Sequence, residues 1–241
     1  MARIRLYVDQ PLGPSQSLAL SRDQAHYLFG VMRLGVGADL LVFNGRDGEW
    51  RATVEAASKR GGQIRAEERT RPQMNPPDLW LLFAPIKKAR TDFIVEKAAE
   101  LGAARICPVQ TEFTNSERIR RDRLQAHAVE AAEQCGGTFV PEVAELAKLS
   151  RVLDDWPGAR RLIFCDEALV GATEADLRAA TGPVAILIGP EGGFSPTERA
   201  RIRAHPQALP ISLGPRILRA DTAAVAALTL WQAGAGDWPG A

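Results

Sequence analysis

The segment Ile186-Leu187-Ile188-Gly189-Pro190-Glu191-Gly192-Gly193-Phe194-Ser195 carries the strongest chemical signal in the chain. An apolar run enters a turn built from three glycines, a proline and one acid. Ser195 then stands where an N-cap should open a helix over 196–205. In a parallel α/β sheet such a turn lies at the carboxyl edge of the strands, where ligands bind. Glycines there let the backbone approach a ligand closely, and a plain strand-to-helix turn has little need of three.

A second segment of the same build is Ile211-Ser212-Leu213-Gly214-Pro215-Arg216-Ile217-Leu218-Arg219-Ala220-Asp221-Thr222-Ala223. It reads as a strand, a Gly-Pro turn, a charged loop and a helix over 222–233, capped by Asp221 or Thr222. Arg219, between the two loops, either makes a surface salt bridge or serves a ligand as phosphate or oxyanion partner. A third segment, Lys87-Lys88-Ala89-Arg90, puts cations at the start of a helix, against its macrodipole. That placement suits a phosphate partner or simple solvated charge. A fourth, Glu130-Ala131-Ala132-Glu133-Gln134-Cys135-Gly136-Gly137, ends an amphipathic helix with acids and two glycines.

Several chemistries are excluded or disfavoured. No G-x-G-x-x-G follows a strand and no G-x-x-x-x-G-K-[ST] occurs, which argues against dinucleotide and P-loop enzymes. Gly35-Val36-Gly37 follows a helix and fails the context test. Cys107, Cys135 and Cys165 form no CxxC pair, and His26, His127 and His205 are far apart, so no metal is expected. No run reaches the roughly 18 apolar residues of a membrane span, and the start lacks a signal-peptide core, so a cytoplasmic protein without membrane contact is expected. The net charge is only +1, but residues 1–73 hold 11 Lys/Arg against 8 Asp/Glu, a small lean toward RNA contact in the first part.

The positioning elements fall into two sets. Thr70 to Asp78, with three prolines, reads as a linker. Before it come short strands, Arg3 to Val8, Ser17 to Leu20, Leu40 to Phe43, Trp50 to Ala56 and Gln63 to Glu67, interrupted by one helix near Asp23 to Leu34 with a Ser21/Gln24 capping box. Many short strands with one helix suggest a small β-barrel. After it strands and helices alternate: strands at Leu79 to Ala84, Arg105 to Val109, Arg161 to Cys165 and Val184 to Ile188, helices at Arg90 to Leu101 and Leu124 to Cys135. That alternation implies a mostly parallel sheet with helices on both faces, an α/β fold.

Five blocks in this order resemble one family, the bacterial 16S rRNA uracil-N3 methyltransferases (RsmE-type) of the SPOUT superfamily. They are His26-Tyr27-Leu28 with Val31-Met32-Arg33 and Gly37; Lys97-Ala98-Ala99-Glu100-Leu101-Gly102; Glu133-Gln134-Cys135-Gly136; Gly189-Pro190-Glu191-Gly192-Gly193-Phe194; and Leu213-Gly214 with Arg216-Ile217-Leu218-Arg219 and Thr222-Ala223. Three positions depart from the family pattern: Gly137 stands where arginine is usual, and Ala220-Asp221 where Thr-Glu is usual.

The resemblance implies a PUA-like β-barrel that grips RNA over 1–73 and a SPOUT α/β domain with a deep trefoil knot over 74–241. It implies S-adenosylmethionine as cofactor, 16S rRNA of the small ribosomal subunit as substrate, and a homodimer. The cofactor would be held by Leu187, Ile188, Gly189, Glu191 and Gly193 of one loop, and by Leu213, Gly214, Leu218, Thr222 and Ala223 of the other. Arg219 would be the catalytic residue, stabilising the oxyanion that develops when uridine N3 attacks the methyl group. Arg33, Lys87, Lys88, Arg90 and Lys97 would hold RNA. The rival readings are a non-catalytic RNA-binding or ribosome-assembly protein, which leaves the glycine loops without a task, and a Rossmann-type nucleotide-binding enzyme, which lacks its phosphate loop.

Overall fold

The computed structural model describes residues 4–58, 60–115, 119–170, 177 and 180–238; Arg3, expected to start a strand, lies outside them. The chain forms two compact units, Met1–Asn75 with Ala132–Val140, and Pro76–Ala131 with Pro141–Ala241.

The first unit contains β1 (Arg5–Tyr7), β2 (Gln16–Leu20), β3 (Asp39–Phe43), β4 (Glu49–Ser58) and β5 (Gly61–Arg71), in the sheet order β1-β3-β4-β5-β2. β1 runs parallel to β3, and the other pairs are antiparallel. The period-2 alternation of the strands sends Leu18, Leu40, Val42, Ala52, Val54 and Ile64 into one core. β5 continues to Arg71, two residues into the expected linker.

The helix expected over Asp23 to Leu34 is a correction. Four α-helical residues, α1 (Arg22–Ala25), carry the complete Ser21/Gln24 capping box, and a π-helical turn, His26–Val31, takes over. Met32 N donates to Tyr27 O at 2.9 Å, five residues back. Gly30 leaves space for the His26 ring, whose Nδ1 lies 3.0 Å from where a Cβ at 30 would stand. Arg33 follows with φ 57. A π-turn advances the apolar pattern by one residue, which spacing arguments tuned to 3.6 residues per turn read as an α-helix.

Glu49 is the polar centre of this unit. Its side chain is 3% exposed, and its carboxylate accepts from Arg5 Nε (2.8 Å), Arg71 Nε (2.9 Å) and Thr70 Oγ1 (3.0 Å). Arg5 also donates to the carbonyls of Ala132 (2.6 Å), Glu133 (2.9 Å) and Gly137 (2.7 Å), a cation on the exposed carbonyls of a helix end. Glu133 Oε1 accepts from Tyr7 N at 2.8 Å. The Glu133-Gln134-Cys135-Gly136 block thus ties β1 in place.

The second unit contains β6 (Leu79–Phe83), α2 (Lys88–Glu100), β7 (Arg105–Gln110), α3 (Arg121–Cys135, whose last turn belongs to the first unit), β8 (Glu142–Val143), β9 (Ala147–Lys148), α4 (Leu149–Asp154), β10 (Arg161–Cys165), β11 (Val184–Ile188), α5 (Pro196–Arg203), β12 (Ala208–Ile211) and α6 (Ala220–Gly234). The sheet order is β12-β10-β11-β6-β7-β8, with β9 also on β7, and every pair is parallel. β11 is buried at all five positions, as a strand covered on both faces must be. Thr91 fixes the corner between β6 and α2: its Oγ1 donates to Ile86 O and accepts from Ile86 N, both at 3.0 Å.

Two expectations shift here. The strand expected from Ile211 ends at that residue, and Ser212 and Leu213 belong to the following loop. α6 is capped by neither Asp221 nor Thr222. Arg219 holds the N-cap position, its carbonyl accepting from Ala223 N at 2.7 Å, so both candidates fall within the first turn. There Asp221 accepts from Thr222 N at 2.9 Å and opposes the helix dipole favourably.

Burial alone would raise the pKa of Glu49, but hydrogen bonds from Arg71, Arg5 and Thr70 outweigh it and hold the carboxyl below its ordinary 4.5. A depressed carboxyl stabilises the fold fully above its unfolded pKa, and that stability is lost as pH falls through the lower folded value. The melting temperature should therefore drop progressively below about pH 4.5. Glu49→Gln should cost about 3–5 kcal/mol at neutral pH, because two cations lose their buried partner. Its melting profile should also be flatter across the acid window; an acid limb equal to that of the wild type would remove Glu49 from this role.

Candidate functional site

Adjacent strands β6 and β11 send the chain in opposite directions, β6 through α2 to β7 and β11 through α5 to β12. This is a topological switch point, and the crevice beyond its carboxyl ends is where α/β sheets bind ligands. A cavity of about 450 Å³ lies there. Its walls come from four chain segments that follow β6, β10, β11 and β12.

The cavity brings together most of the residues singled out in the two glycine loops. Ile188, Gly189, Glu191 and Gly193 line it from the β11 side, and Leu213, Gly214, Leu218, Arg219 and Ala223 from the β12 side, with Lys87 and Arg90 at the start of α2. Leu187 instead sends its side chain into the core beside Phe164 and Phe194. Thr222 is exposed on α6 and Lys88 is exposed at the start of α2, neither lining the cavity. Lys97 lies two turns further along α2, paired with Glu100 at 2.6 Å. Arg33 belongs to the first unit, at the left-handed residue after the π-turn.

The glycines have separate causes. A Cβ on Gly189 would stand 2.6 Å from Cε2 of Phe194, a buried ring packed edge-on against Phe164 at 5.1 Å. Gly189 is therefore required by the protein's own packing, where the sequence argument invoked close approach of a ligand. Gly193 (φ 71) and Gly214 (φ 111) adopt a left-handed backbone, and the Cβ direction of Gly214 meets nothing within 4 Å.

Ion pairs hold the walls apart. Arg90 Nη1 pairs with Glu191 at 3.1 Å, and Arg90 Nε lies 3.8 Å from Asp221, so one guanidinium joins the β11 loop to the start of α6. Both acids are thus engaged in structure. Beneath them Asp166, whose side chain is fully buried, accepts from Arg203 (2.9 and 2.6 Å) and pairs with Arg199. Glu167 also pairs with Arg199 and accepts from Phe194 N at 3.4 Å, fixing the far end of the β11 loop to the end of β10.

Cys165, Asp166, Glu167 and Val170 also line the cavity, with no role assigned to them from sequence. A usable signal was present: an acidic pair placed directly after an apolar strand, hence at the carboxyl edge. Burial raises the pKa of Cys165 far above its ordinary value, so the thiol stays protonated and is no nucleophile. Ser212 Oγ is turned onto Gly214, donating to its carbonyl at 3.2 Å and accepting from its N–H at 3.3 Å. No group of His, Cys, Asp or Glu among the described residues is placed to hold a metal ion. Among the described residues, Arg219 is exposed and forms no ion pair, leaving its guanidinium available to a bound partner. The arrangement is one that binds and orients: backbone groups, apolar walls and the exposed cations Lys87, Arg216 and Arg219.

Gly189→Val should destabilise the protein by about 1–3 kcal/mol through the displaced Phe194 ring. In a Phe194→Ala background the same change should cost clearly less in denaturant titrations. Equal costs in both backgrounds would show that the ring is not the obstacle.

Comparisons with known proteins follow the same lines. A family model described as an RNA methyltransferase domain matches residues 73–232, and one described as an RNA methyltransferase PUA domain matches residues 20–67. The ribosomal RNA small subunit methyltransferase E of Rickettsia conorii is 29% identical over 93% of both chains. The protein of that name from Synechocystis is 31% identical, covering 88% of this chain and 71% of its own. A putative methyltransferase from Legionella pneumophila, solved in complex with S-adenosylmethionine, superposes with a TM-score of 0.88 at 32% identity, over 98% of this chain and 100% of that one. The Neisseria gonorrhoeae ribosomal RNA small subunit methyltransferase E, bound to S-adenosylmethionine, gives 0.86 at 26% identity, over 98% and 99%. With a family model spanning 73–232 and relatives aligned over nearly their full length, the chain belongs to the RNA methyltransferase family.

Proposed function

We propose that this protein transfers a methyl group from S-adenosylmethionine to N3 of a uridine in the 16S rRNA of the small ribosomal subunit, acting in the cytoplasm. The observation that carries the reading is the cavity at the switch point, walled by two glycine loops and edged by the exposed Arg219. A non-catalytic assembly factor would have no use for it. The domain roles follow: residues 1–73 form the RNA-gripping part, a PUA-like barrel, and 74–241 the catalytic part, with the family's deep knot. A homodimer is part of the same proposal, supported by exposed apolar side chains at Ile217 and Leu230.

The residues fit the cofactor. Ile188, Leu213, Leu218 and Ala223 offer apolar surface for an adenine, and the β11 and β12 loops offer main-chain donors and acceptors for its edge and for the ribose. Open space beside Gly214 gives the cradle depth. When bound, S-adenosylmethionine supplies a methyl group already activated on a sulfonium, so no metal is needed.

The chain must then present N3. This atom lies on the pairing edge, so the base has to be unpaired or extruded to reach the cavity. Loss of the N3 proton to solvent would place negative charge on N3 and the uracil oxygens, and N3 would then bond to the methyl carbon as the carbon–sulfur bond breaks, that bond's electron pair staying on sulfur. Negative charge developing on the uracil oxygens is stabilised by Arg219, by charge-assisted hydrogen bonding. Glu191 and Asp221 do not take the proton, since Arg90 engages both. Alignment of N3 with the methyl group supplies much of the remaining rate. Arg33, Lys87 and Lys88 are the cations proposed to bear on RNA phosphates, with Lys97 and Arg90 secondary because each already has an acidic partner.

Incubation with unmodified small-subunit RNA and labelled cofactor, followed by mass mapping, should place one methyl on a uridine N3; no incorporation would refute the assignment. Arg219→Ala should lower turnover by roughly 100-fold or more while calorimetric affinity for S-adenosylmethionine stays nearly constant. Lost affinity with unchanged turnover would move Arg219 from the chemistry to cofactor binding.

A further inference from the structure

Outside the cavity, one aromatic side chain stands in a position that its own packing does not explain. Phe113 follows β7 and is 41% exposed. An exposed ring at a loop tip is commonplace, but this loop is held unusually firmly. Thr111 and Thr114 are both buried, their hydroxyls are 2.9 Å apart, and Thr114 Oγ1 accepts from Thr111 N at 2.9 Å. Glu112 N donates to Glu198 Oε1 at 2.8 Å. The other oxygen of Glu198 accepts from Ser195 N at 3.2 Å, so one carboxylate fastens the Phe113 loop to the chain that leaves the β11 loop.

The stem of this side chain abuts Gly192. A Cβ at 192 would lie 3.3 Å from Cβ of Phe113 and 3.8 Å from its Cγ. Gly192 is not in the left-handed region, unlike Gly193, so turn geometry does not demand a glycine there. Its neighbours Glu191 and Gly193 both line the cavity. Position 192 is thus crowded by Phe113, and an exposed aromatic ring stands beside the loop that walls the cavity.

We infer that Phe113 is a positioning residue, a platform on which a base of the RNA substrate stacks while the target uridine occupies the cavity. This rests on the proposed methylation of an unpaired uridine. Such a target needs its neighbours unstacked, and proteins hold unstacked bases on the faces of aromatic rings. The rigid loop supplies that face already ordered, which lowers the entropy lost on binding.

The test is steady-state methylation of unmodified small-subunit RNA by Phe113→Ala, Phe113→Leu and Phe113→Tyr, with cofactor affinity by calorimetry and oligomeric state by sedimentation. Removing a stacking surface should raise KM for RNA by about tenfold or more in the Ala and Leu variants. The Tyr variant should behave as wild type, and cofactor affinity should be unchanged throughout. The Leu variant keeps apolar bulk without a π face, so rescue by Leu would overturn stacking in favour of packing. Unaltered KM in all three variants, or dissociation of a dimer in the Ala variant, would also overturn it, the latter giving the ring to a second copy of the chain. If the wild type itself methylates no uridine, the reading of the reaction fails instead, a result distinct from any of these.

Discussion

A ligand cleft between two loops persists only if those loops do not fall into it. Here the β11 and β12 loops contain apolar side chains and bare glycines, and collapse would bury surface favourably. Charged struts prevent it. Arg90 spans Glu191 and Asp221, while Arg199 and Arg203 hold the buried Asp166 and, through Glu167, the β11 loop. Asp166 is fully buried, so losing Arg199 or Arg203 would leave a desolvated carboxylate, while the half-exposed Arg90 pairs contribute less. Phe194, wedged beside Gly189, adds the apolar counterpart.

The sheet explains why the struts converge. All seven strands run parallel, so every strand delivers its following loop to the same edge. The crossing of directions between β6 and β11 opens a gap that no connecting loop bridges. Four segments distant in sequence thereby meet around one volume, and the chemistry that results is orientation of two bound partners.

Local signals in the sequence translate well. The Ser195 N-cap is present with Glu198 completing its box, the glycine loops stand at strand ends, and strands such as β11 occupy the residues their apolar runs suggest. What spacing could not convey is tertiary in origin. The π-turn at His26–Val31 depends on how Gly30 meets His26, and the start of α6 on a main-chain bond to Arg219. The two-residue strands β8 and β9 carry too few residues for any period to register. Asp166 and Glu167 were legible as letters, but their partners lie more than 30 residues away on α5. Glu49 reads as an ordinary strand acid until Arg5 and Arg71 close around it.

The central claim is that S-adenosylmethionine occupies the space between the β11 and β12 loops. Amide hydrogen exchange with and without the cofactor tests it directly, because N–H groups in loops outside the helices and the sheet exchange rapidly unless a ligand covers them. Bound cofactor should slow exchange in two stretches only, 188–194 and 212–220, with the first unit unaffected. Protection elsewhere in the chain, or none at saturating cofactor, would contradict it.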